Sequence, residues 1–220
     1  MEKDMKRKNK QIGVITGGKS SDPRQEHDFY PTPSASTQAL IDTGVLDGCK
    51  AFRDPCAGRG HITDVLGEHF TVAYNNALFA EDLIDYGANH WIETGVDFLK
   101  AEPYKVEAIV TNPPYSRDIL MPFVDKCLAE STKITAMFLK ITFLESTARK
   151  EFFDTNKTLK YIMPFSNRQP MYKNGEVVKG KSNAIMYAWF IWDKTYNGEP
   201  TIKLLDNSEL VKENKSKGVY

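Results

Sequence analysis

Short apolar runs that alternate with segments of helical spacing constrain this chain more than any other feature. The helical spacing predicts helices over residues 61–70, 119–128 and 143–153. We expect Pro122 in the first turn of the second helix, where its missing donor is tolerated. The predicted strands are residues 49–53, 77–83, 106–110, 134–139, 159–164, 183–192 and 201–205. Strands that alternate with helices predict a single α/β domain, with a mainly parallel, doubly wound sheet covered on both faces.

Length and composition exclude several classes of protein. The chain has 220 residues, 41% of them hydrophobic and 26% charged, which suits a globular domain with a sizeable core. No apolar run approaches the about 20 residues that span a membrane. The polar N-terminus lacks the apolar core of a signal peptide, so we expect a cytoplasmic protein without a membrane partner. The three cysteines lack the spacing of a zinc site, so no metal is predicted.

A glycine-bearing turn, DPCAGRG, follows the first predicted strand at residues 54–60. Gly58 and Gly60 match the first two glycines of the dinucleotide fingerprint, but Thr63 occupies the third position. The carboxylate of Asp54 would repel a pyrophosphate and would tolerate an ammonium group. S-adenosylmethionine carries an ammonium and a sulfonium and no phosphate, so it suits this turn better than a dinucleotide does.

Two later strand ends carry further acids. Glu81 and Asp82 lie about 20 residues beyond the glycine turn, where an acceptor for ribose hydroxyls is expected. Asp97 offers an acceptor for an adenine amino group, and the neighbouring Phe98 offers a ring to pack on its face. Each acid taken alone also fits a solvated or helix-capping residue. The ordered set favours a nucleoside-bearing cofactor.

The stretch TNPPYS, residues 111–116, follows the buried strand predicted at 106–110. Two consecutive prolines end a strand, because each lacks a backbone donor. Asn112 offers a side-chain oxygen and Pro113 a carbonyl, and both could accept hydrogens from a planar amino group. Tyr115 offers a ring on which such a group could stack. The alternative is a rigid turn between a strand and a helix.

These motifs together resemble a known family. DPCAGRG, ALFAEDLID, GVDFL and TNPPYS, in that order and preceded by DFYPTP at residues 28–33, resemble the class I S-adenosylmethionine-dependent amino-methyltransferases. The similarity extends over residues 28–193 and is greatest to small phage and prophage adenine-N6 DNA methyltransferases. It implies a Rossmann-like domain with a mostly parallel seven-stranded sheet and one antiparallel strand near the C-terminus. It also implies a bacterial or phage-infected host cell.

The resemblance assigns roles residue by residue. The positions implied to be catalytic are Asn112, Pro113, Pro114 and Tyr115. The positions implied to bind S-adenosylmethionine are Phe29, Tyr30, Thr32, Asp54, Pro55, Gly58, Gly60, Asp82, Asp97, Phe98 and Asn112. Two departures affect this set: Pro31 interrupts the shortest form of the upstream motif, and Glu81 competes with Asp82 as the ribose ligand.

Domain limits follow from the same motifs. We predict a flexible basic segment at residues 1–27, a methyltransferase domain at 28–206 and a polar tail at 207–220. Without a separate target-recognition domain, specificity would fall to short loops, and the segment Ser166–Ser182 is the best candidate. Its residues suited to bind DNA phosphates are Arg168, Lys173 and Lys179. The alternative is a plain solvated hairpin around residues 174–175.

The sequence therefore predicts methyl transfer from S-adenosylmethionine to the N6 amino group of adenine in DNA, with the base flipped out of the duplex. Two alternatives stay open. One is the same chemistry on RNA or on a protein glutamine. The other is a binding subunit that holds the cofactor without catalysis. The net charge of zero excludes a strongly basic coat but allows local basic patches, and the oligomeric state is left open.

Overall fold

The computed structural model of the chain describes residues 30–71, 77–87, 91–170, 172–173, 176–177 and 185–217. The helices within these ranges are α1 (Ser34–Ile41), α2 (His61–Leu66), α3 (Arg117–Glu130), α4 (Lys150–Thr155) and α5 (Ser208–Lys217). The strands are β1 (Ala51–Asp54), β2 (Ala77–Asp82), β3 (Glu93–Thr94), β4 (Val106–Thr111), β5 (Ser131–Lys140), β6 (Leu159–Pro164), β7 (Tyr172–Lys173), β8 (Glu176–Val177), β9 (Tyr187–Asp193) and β10 (Thr201–Ile202). The basic segment predicted at residues 1–27 lies outside the described residues.

Eight of the described strands form one sheet in the order β10-β6-β9-β5-β4-β1-β2-β3. Every neighbouring pair is parallel except those of β9, which runs antiparallel between β5 and β6. The predicted doubly wound sheet and its antiparallel strand near the C-terminus are confirmed. The predicted number of seven strands is wrong, because Glu93 and Thr94, which lie outside the predicted strands, pair with the edge of β2 and add an eighth. β7 and β8 form a separate antiparallel pair.

The sheet separates two apolar cores. Alternate residues of a strand point to opposite faces, so Ala108 and Val110 join one core while Ile109 joins the other. The first core includes Leu40 of α1 and Leu66 of α2. The second is covered by the apolar face of α3. Because both faces are covered, most residues of β4 and β9 are apolar, as expected of a doubly wound sheet.

Two helix predictions are wrong in detail. Pro122 lies at the sixth position of α3, inside the helix and beyond its first turn. Residues 143–153 do not form one helix: 3₁₀ turns at Ile141–Leu144 and Thr147–Arg149 precede the short α4. The side chain of Arg149 donates from Nε to the carbonyl of Phe143 at 2.7 Å, which satisfies an acceptor that a continuous helix would have used.

The segment predicted as a polar tail contains α5. Asn214 of this helix donates from Nδ2 to the Ser34 hydroxyl at 2.9 Å, so α5 lies against the first turn of α1. Across the described part of the chain, no helix combines the length and apolar character that crossing a bilayer requires.

Candidate active site

The ends of β1, β2 and β4 bring the predicted motifs to one edge of the sheet. Parallel strands place their carboxyl ends on the same side, so the loops that follow Asp54, Asp82 and Thr111 meet there. A cleft of about 460 Å³ lies between these loops. Its lining residues are Tyr30, Pro31, Thr32, Asp54, Cys56, Ala57, Gly58, His61, Ile62, Asp82, Tyr86, Asn112 and Pro114. We call it the first cavity.

The glycine turn is tied to β2 by the carboxylate of Asp82. The backbone N–H of Gly58 donates to Asp82 Oδ2 at 2.7 Å, and that of Ile84 donates to Oδ1 at 2.9 Å. Gly58 and Gly60 have φ angles of 59° and 94°, which lie in the left-handed region that side chains disfavour. The turn therefore needs glycine at these two positions to bend around the cavity.

Glu81 and Asp82 face different environments, as neighbouring residues of a strand must. The Glu81 carboxylate lies 2.6 Å from Nη2 of the buried Arg53, which also contacts Glu130 at 2.6 Å. Asp82 lines the first cavity and Glu81 does not. Of the two candidate acids, Asp82 is the one positioned to meet a ligand.

Asp54 is the most deeply buried carboxyl group of the first cavity, with 1% of its surface exposed. Its Oδ1 accepts the backbone N–H of Cys56 at 3.1 Å. Its Oδ2 is buried beside the Thr111 hydroxyl, which lowers the pKa of the carboxyl group. Burial, reinforced by the nearby charges of Asp82 and Glu81, raises the pKa of Asp54 to about 7. The site thus holds a buried carboxyl group whose ionised form a cationic ligand group would stabilise.

A second cavity of about 1250 Å³ adjoins the first and shares Asp82 and Pro114 with it. Asp97 and the ring of Phe98 line it together with apolar side chains of the β2 loop and of α3. The Asp97 carboxylate lies 2.8 Å from Lys100 Nζ, and this hydrogen bond lowers the pKa of the carboxyl group. Beyond the shared Asp82, the second cavity therefore offers the Asp97 carboxylate beside an apolar wall, and this wall suits a flat heteroaromatic ring.

The Phe98 ring is supported from within the protein by two cations. Arg53 lies 5.1 Å from the ring centroid and Lys126 lies 5.3 Å from it. Both cations pair with Glu130, at 2.6 Å and 2.9 Å. Contacts of this kind hold an aromatic ring in place, with the cation over its electron-rich face.

The TNPPYS loop is held by three hydrogen bonds of the Asn112 and Tyr115 side chains. Asn112 donates from Nδ2 to the Tyr30 carbonyl at 2.8 Å, which fixes the orientation of the amide. The Tyr115 hydroxyl lies 2.5 Å from Asn112 Oδ1 and 3.0 Å from the carbonyl of Phe138. Asn112 and Pro114 line the first cavity, so the loop forms part of its wall.

Tyr115 instead lines a third cavity, of about 940 Å³, at the carboxyl ends of β4 and β5. Lys140, the last residue of β5, places Nζ 4.5 Å from the centroid of the Tyr115 ring. The same Nζ lies 5.9 Å from the ring of Tyr30. The TNPPYS loop thus separates the first cavity from the third cavity, and the ammonium group of Lys140 lines the third.

Most predicted site residues meet at this edge, and some do not. Those that line the first or second cavity are Tyr30, Thr32, Asp54, Pro55, Gly58, Asp82, Asp97, Phe98, Asn112 and Pro114. Gly60 shapes the turn, and Pro113 is buried within its loop. Arg168 is exposed beyond β6 and lines none of the three cavities formed by the described residues. Phe29 and Lys179 lie outside the described residues, as does the side chain of Lys173.

Sequence reasoning missed several lining residues. Cys56, Ala57, His61 and Ile62 lie within or directly after DPCAGRG, so their proximity to the turn was the available signal. Tyr86 reaches both cavities from the β2 loop, and no pattern in the sequence marks it. Among the described residues, no group of three or more histidine, cysteine or acidic side chains is arranged to hold a metal ion.

Comparisons with known proteins bear on the fold. No protein-family model matches the chain, and no curated protein matches it. A solved structure from Listeria monocytogenes, of a protein assigned to the class I S-adenosylmethionine-dependent methyltransferases, superposes with a TM-score of 0.59 at 10% identity. The match covers 96% of this chain and 76% of that protein. The chain has the fold of the class I methyltransferases.

Two further structures with this methyltransferase fold are similar. The methyltransferase subunit of a type I restriction-modification system from Streptococcus thermophilus gives a TM-score of 0.56 at 13% identity, and the match covers 86% of this chain. This chain spans only 53% of that subunit. A protein from Pyrococcus horikoshii assigned as an RNA methyltransferase gives a TM-score of 0.55 at 13% identity, over 84% of this chain and 97% of that protein.

Proposed function

We propose that the chain transfers a methyl group from S-adenosylmethionine to the N6 amino group of adenine in DNA. The observation that carries this proposal is the position of Asn112 and Pro114 in the wall of an acid-lined cleft. A cofactor bound in the cleft and an amino group held by the TNPPYS loop would be neighbours. Alignment of reacting atoms supplies a large part of the rate enhancement in reactions that need no covalent enzyme intermediate.

The residues of the first two cavities fit S-adenosylmethionine. The buried carboxyl group of Asp54 suits its ammonium group, and Asp82 suits its ribose hydroxyls. Asp97 and Phe98 suit its adenine amino group and ring. When bound, the cofactor supplies a methyl group activated by a sulfonium. The acidic lining disfavours a phosphate-bearing ligand, which supports this assignment over a dinucleotide.

The acceptor chemistry follows from the groups around Asn112. The lone pair of a planar amino group is delocalised into its ring, so the nitrogen is a poor nucleophile. Acceptors on both amino hydrogens draw the nitrogen toward tetrahedral geometry and localise that pair. Asn112 Oδ1 accepts the Tyr115 hydroxyl with one lone pair and keeps a second for the amino group. The carbonyl of Pro113 is the second proposed acceptor, and the Tyr115 ring is the proposed stacking surface.

DNA is favoured as the acceptor by two observations. The restriction-modification subunit from Streptococcus thermophilus shares the fold, and the TNPPYS loop matches the form typical of adenine-N6 enzymes. We propose that Arg168, Lys173 and Lys179 contact DNA phosphates and that the target adenine leaves the stack to reach Asn112. RNA is the second candidate acceptor, since the Pyrococcus horikoshii protein has the same fold.

The test is methyl transfer from tritium-labelled S-adenosylmethionine to DNA, RNA and protein, offered separately. Nucleoside analysis is expected to recover N6-methyladenine from DNA. The control is Asn112→Ala, which we expect to bind the cofactor and transfer no label. Label only in RNA or protein would overturn the DNA assignment. Cofactor binding without transfer to any acceptor would favour the non-catalytic binding subunit.

A further inference from the structure

The third cavity carries an excess of positive charge. Its charged lining residues are Arg117, Lys140, Arg149 and Glu145, so three cations face one carboxylate. The cavity also includes Tyr115, the ring that the proposed function uses to stack the target. A pocket of this charge next to the acceptor site is suited to an anionic part of the acceptor.

The three cations have different environments. Arg149 is committed to the protein, because its Nε donates to the Phe143 carbonyl and its Nη2 donates to the Thr142 carbonyl at 3.2 Å. Arg117 and Arg149 line the same cavity, and burial together with the charge of Arg117 lowers the pKa of Arg149. Like charges that line one cavity repel each other until an anion joins them.

Arg117 is exposed at the first position of the 14-residue helix α3. The amino end of a helix carries partial positive charge, so a cation there weakens the helix slightly. The stability of α3 therefore does not explain an arginine at this position. Its place on the wall of the third cavity does.

Lys140 occupies the space that the proposed acceptor needs. Its ammonium lies over a face of the Tyr115 ring, 4.5 Å from the centroid. A base cannot stack on that face until the ammonium moves away. A charge-assisted hydrogen bond to an anion is stronger than a cation–π contact at an accessible site, which contributes about 0.5–1 kcal/mol.

We propose that the third cavity binds a backbone phosphate of the target nucleotide through Arg117 and Lys140. Lys140 covers the Tyr115 ring until the target base enters and then transfers to the phosphate. This inference rests on the proposed function and narrows it, because a nucleic acid supplies such a phosphate and a protein glutamine does not. Arg149 shapes the wall and is not a ligand.

The test measures binding of a short fluorescein-labelled DNA duplex with a central A·A mismatch, since an unpaired base flips at lower cost. The variants are Lys140→Met, Arg117→Gln and their combination. Lys140→Arg retains the charge. The matched control is Lys133→Met, which removes a partly exposed lysine near the opposite end of β5. Fluorescence anisotropy over a salt series gives the affinity for the duplex and its dependence on salt. Calorimetric titration with S-adenosylmethionine gives the cofactor affinity, which shows whether each variant keeps a folded cofactor site.

Each lost phosphate contact is expected to reduce the slope of log affinity against log salt by about one, and the double variant by about two. Binding of the duplex is expected to weaken about fivefold or more in each single variant, with cofactor affinity unchanged. Lys140→Arg and Lys133→Met are expected to keep the wild-type slope. Wild-type slopes in Lys140→Met and Arg117→Gln would overturn the inference. Because methyl transfer by the wild-type protein is measured separately, that result would leave the proposed function standing.

Discussion

The Tyr115 hydroxyl lies 2.5 Å from Asn112 Oδ1, so the residue proposed to stack the target also orients the amide proposed to bind it. The other end of that amide is fixed by the Tyr30 carbonyl, at 2.8 Å from Nδ2. Asn112 is thus held at both ends before any acceptor arrives. Preorganised acceptors of this kind need no rearrangement during the reaction.

The two functions of Tyr115 can be separated by substitution. Tyr115→Phe keeps the ring and removes the hydroxyl, so we expect kcat to fall about threefold to tenfold with little change in KM for DNA. Tyr115→Ala also removes the stacking surface, worth about 1–3 kcal/mol, and is expected to raise KM for DNA as well. Steady-state methyl transfer checks both. Identical kinetics in the two variants would show that the ring contributes nothing beyond its hydroxyl.

Glu81 and Asp82 are expected to respond differently to loss of charge. Asp82→Asn weakens the proposed hydrogen bonds to the ribose, and we expect the Kd for S-adenosylmethionine to rise by about tenfold to a hundredfold. Glu81→Gln weakens the ion pair with Arg53 instead, so we expect a loss of about 1–3 kcal/mol in unfolding free energy. Its cofactor Kd should stay within about twofold of wild type. Calorimetry measures the cofactor Kd, and urea unfolding measures the unfolding free energy. A raised Kd in Glu81→Gln with an unchanged Kd in Asp82→Asn would assign the ribose to Glu81.

Asp54 predicts a pH dependence of cofactor binding. Burial raises its pKa from 3.8 to about 7, so the free protein holds this carboxyl group protonated at pH 6. An ammonium group on the cofactor favours the ionised form, so binding should tighten as pH rises toward 7 and should release a proton. Calorimetry in buffers of different ionisation enthalpy measures that proton. Asp54→Asn is expected to abolish its release and to weaken binding. An unchanged proton count in this variant would mean that another group titrates.

The same group makes the free protein less stable as pH rises. A carboxyl group whose folded pKa exceeds its unfolded value binds protons more tightly in the folded state. Its contribution to stability is therefore complete below pH 3.8 and is lost as pH approaches 7. The difference in unfolding free energy between Asp54→Asn and wild type should increase across this window in favour of the variant. Urea unfolding at several pH values checks the sign.

Arg53 lies buried between two carboxylates, at 2.6 Å from both Glu81 and Glu130. Arg53→Met leaves these acids without their shared cation, and we expect a loss of about 3–5 kcal/mol in unfolding free energy. Combining it with Glu81→Gln and Glu130→Gln removes the uncompensated charges and should recover much of that loss. Urea unfolding of the single and triple variants makes the comparison. Equal unfolding free energies in the single and triple variants would show that the uncompensated charges of Glu81 and Glu130 do not cause the loss.

The alternation of apolar runs predicted the order of layers because it depends on residues close in sequence. It failed where distant contacts decide. Glu93 and Thr94 are exposed and form a strand because β2 presents an open edge. Residues 143–153 have helical spacing, yet the Arg149 side chain takes carbonyls that a helix would have used. Pro122 is accommodated inside α3, whose apolar face is buried against the sheet.

In the candidate site, too, features set by nearby residues were predicted and features set by distant contacts were not. Glycines and acids at strand ends marked the first two cavities, since the fold alone brings such ends together. The sequence left Glu81 and Asp82 open because the partner that withdraws Glu81, Arg53, lies on the neighbouring strand β1. Lys140 was not predicted at all. Its importance depends on the rings of Tyr30 and Tyr115, which come from two distant loops.

The reversed direction of β9 determines where the connection between β6 and β9 lies relative to the cavities. The chain leaves the sheet after Pro164 and re-enters it at Tyr187, and the pairing of Pro164 with Ala188 places both points at the edge that carries the cavities. The described start of this connection is tied to α1, because Gln169 Oε1 accepts a hydrogen bond from the Ser36 hydroxyl at 2.7 Å. Under the proposed function, substitutions in this connection therefore act on the side of the sheet where the acceptor would bind.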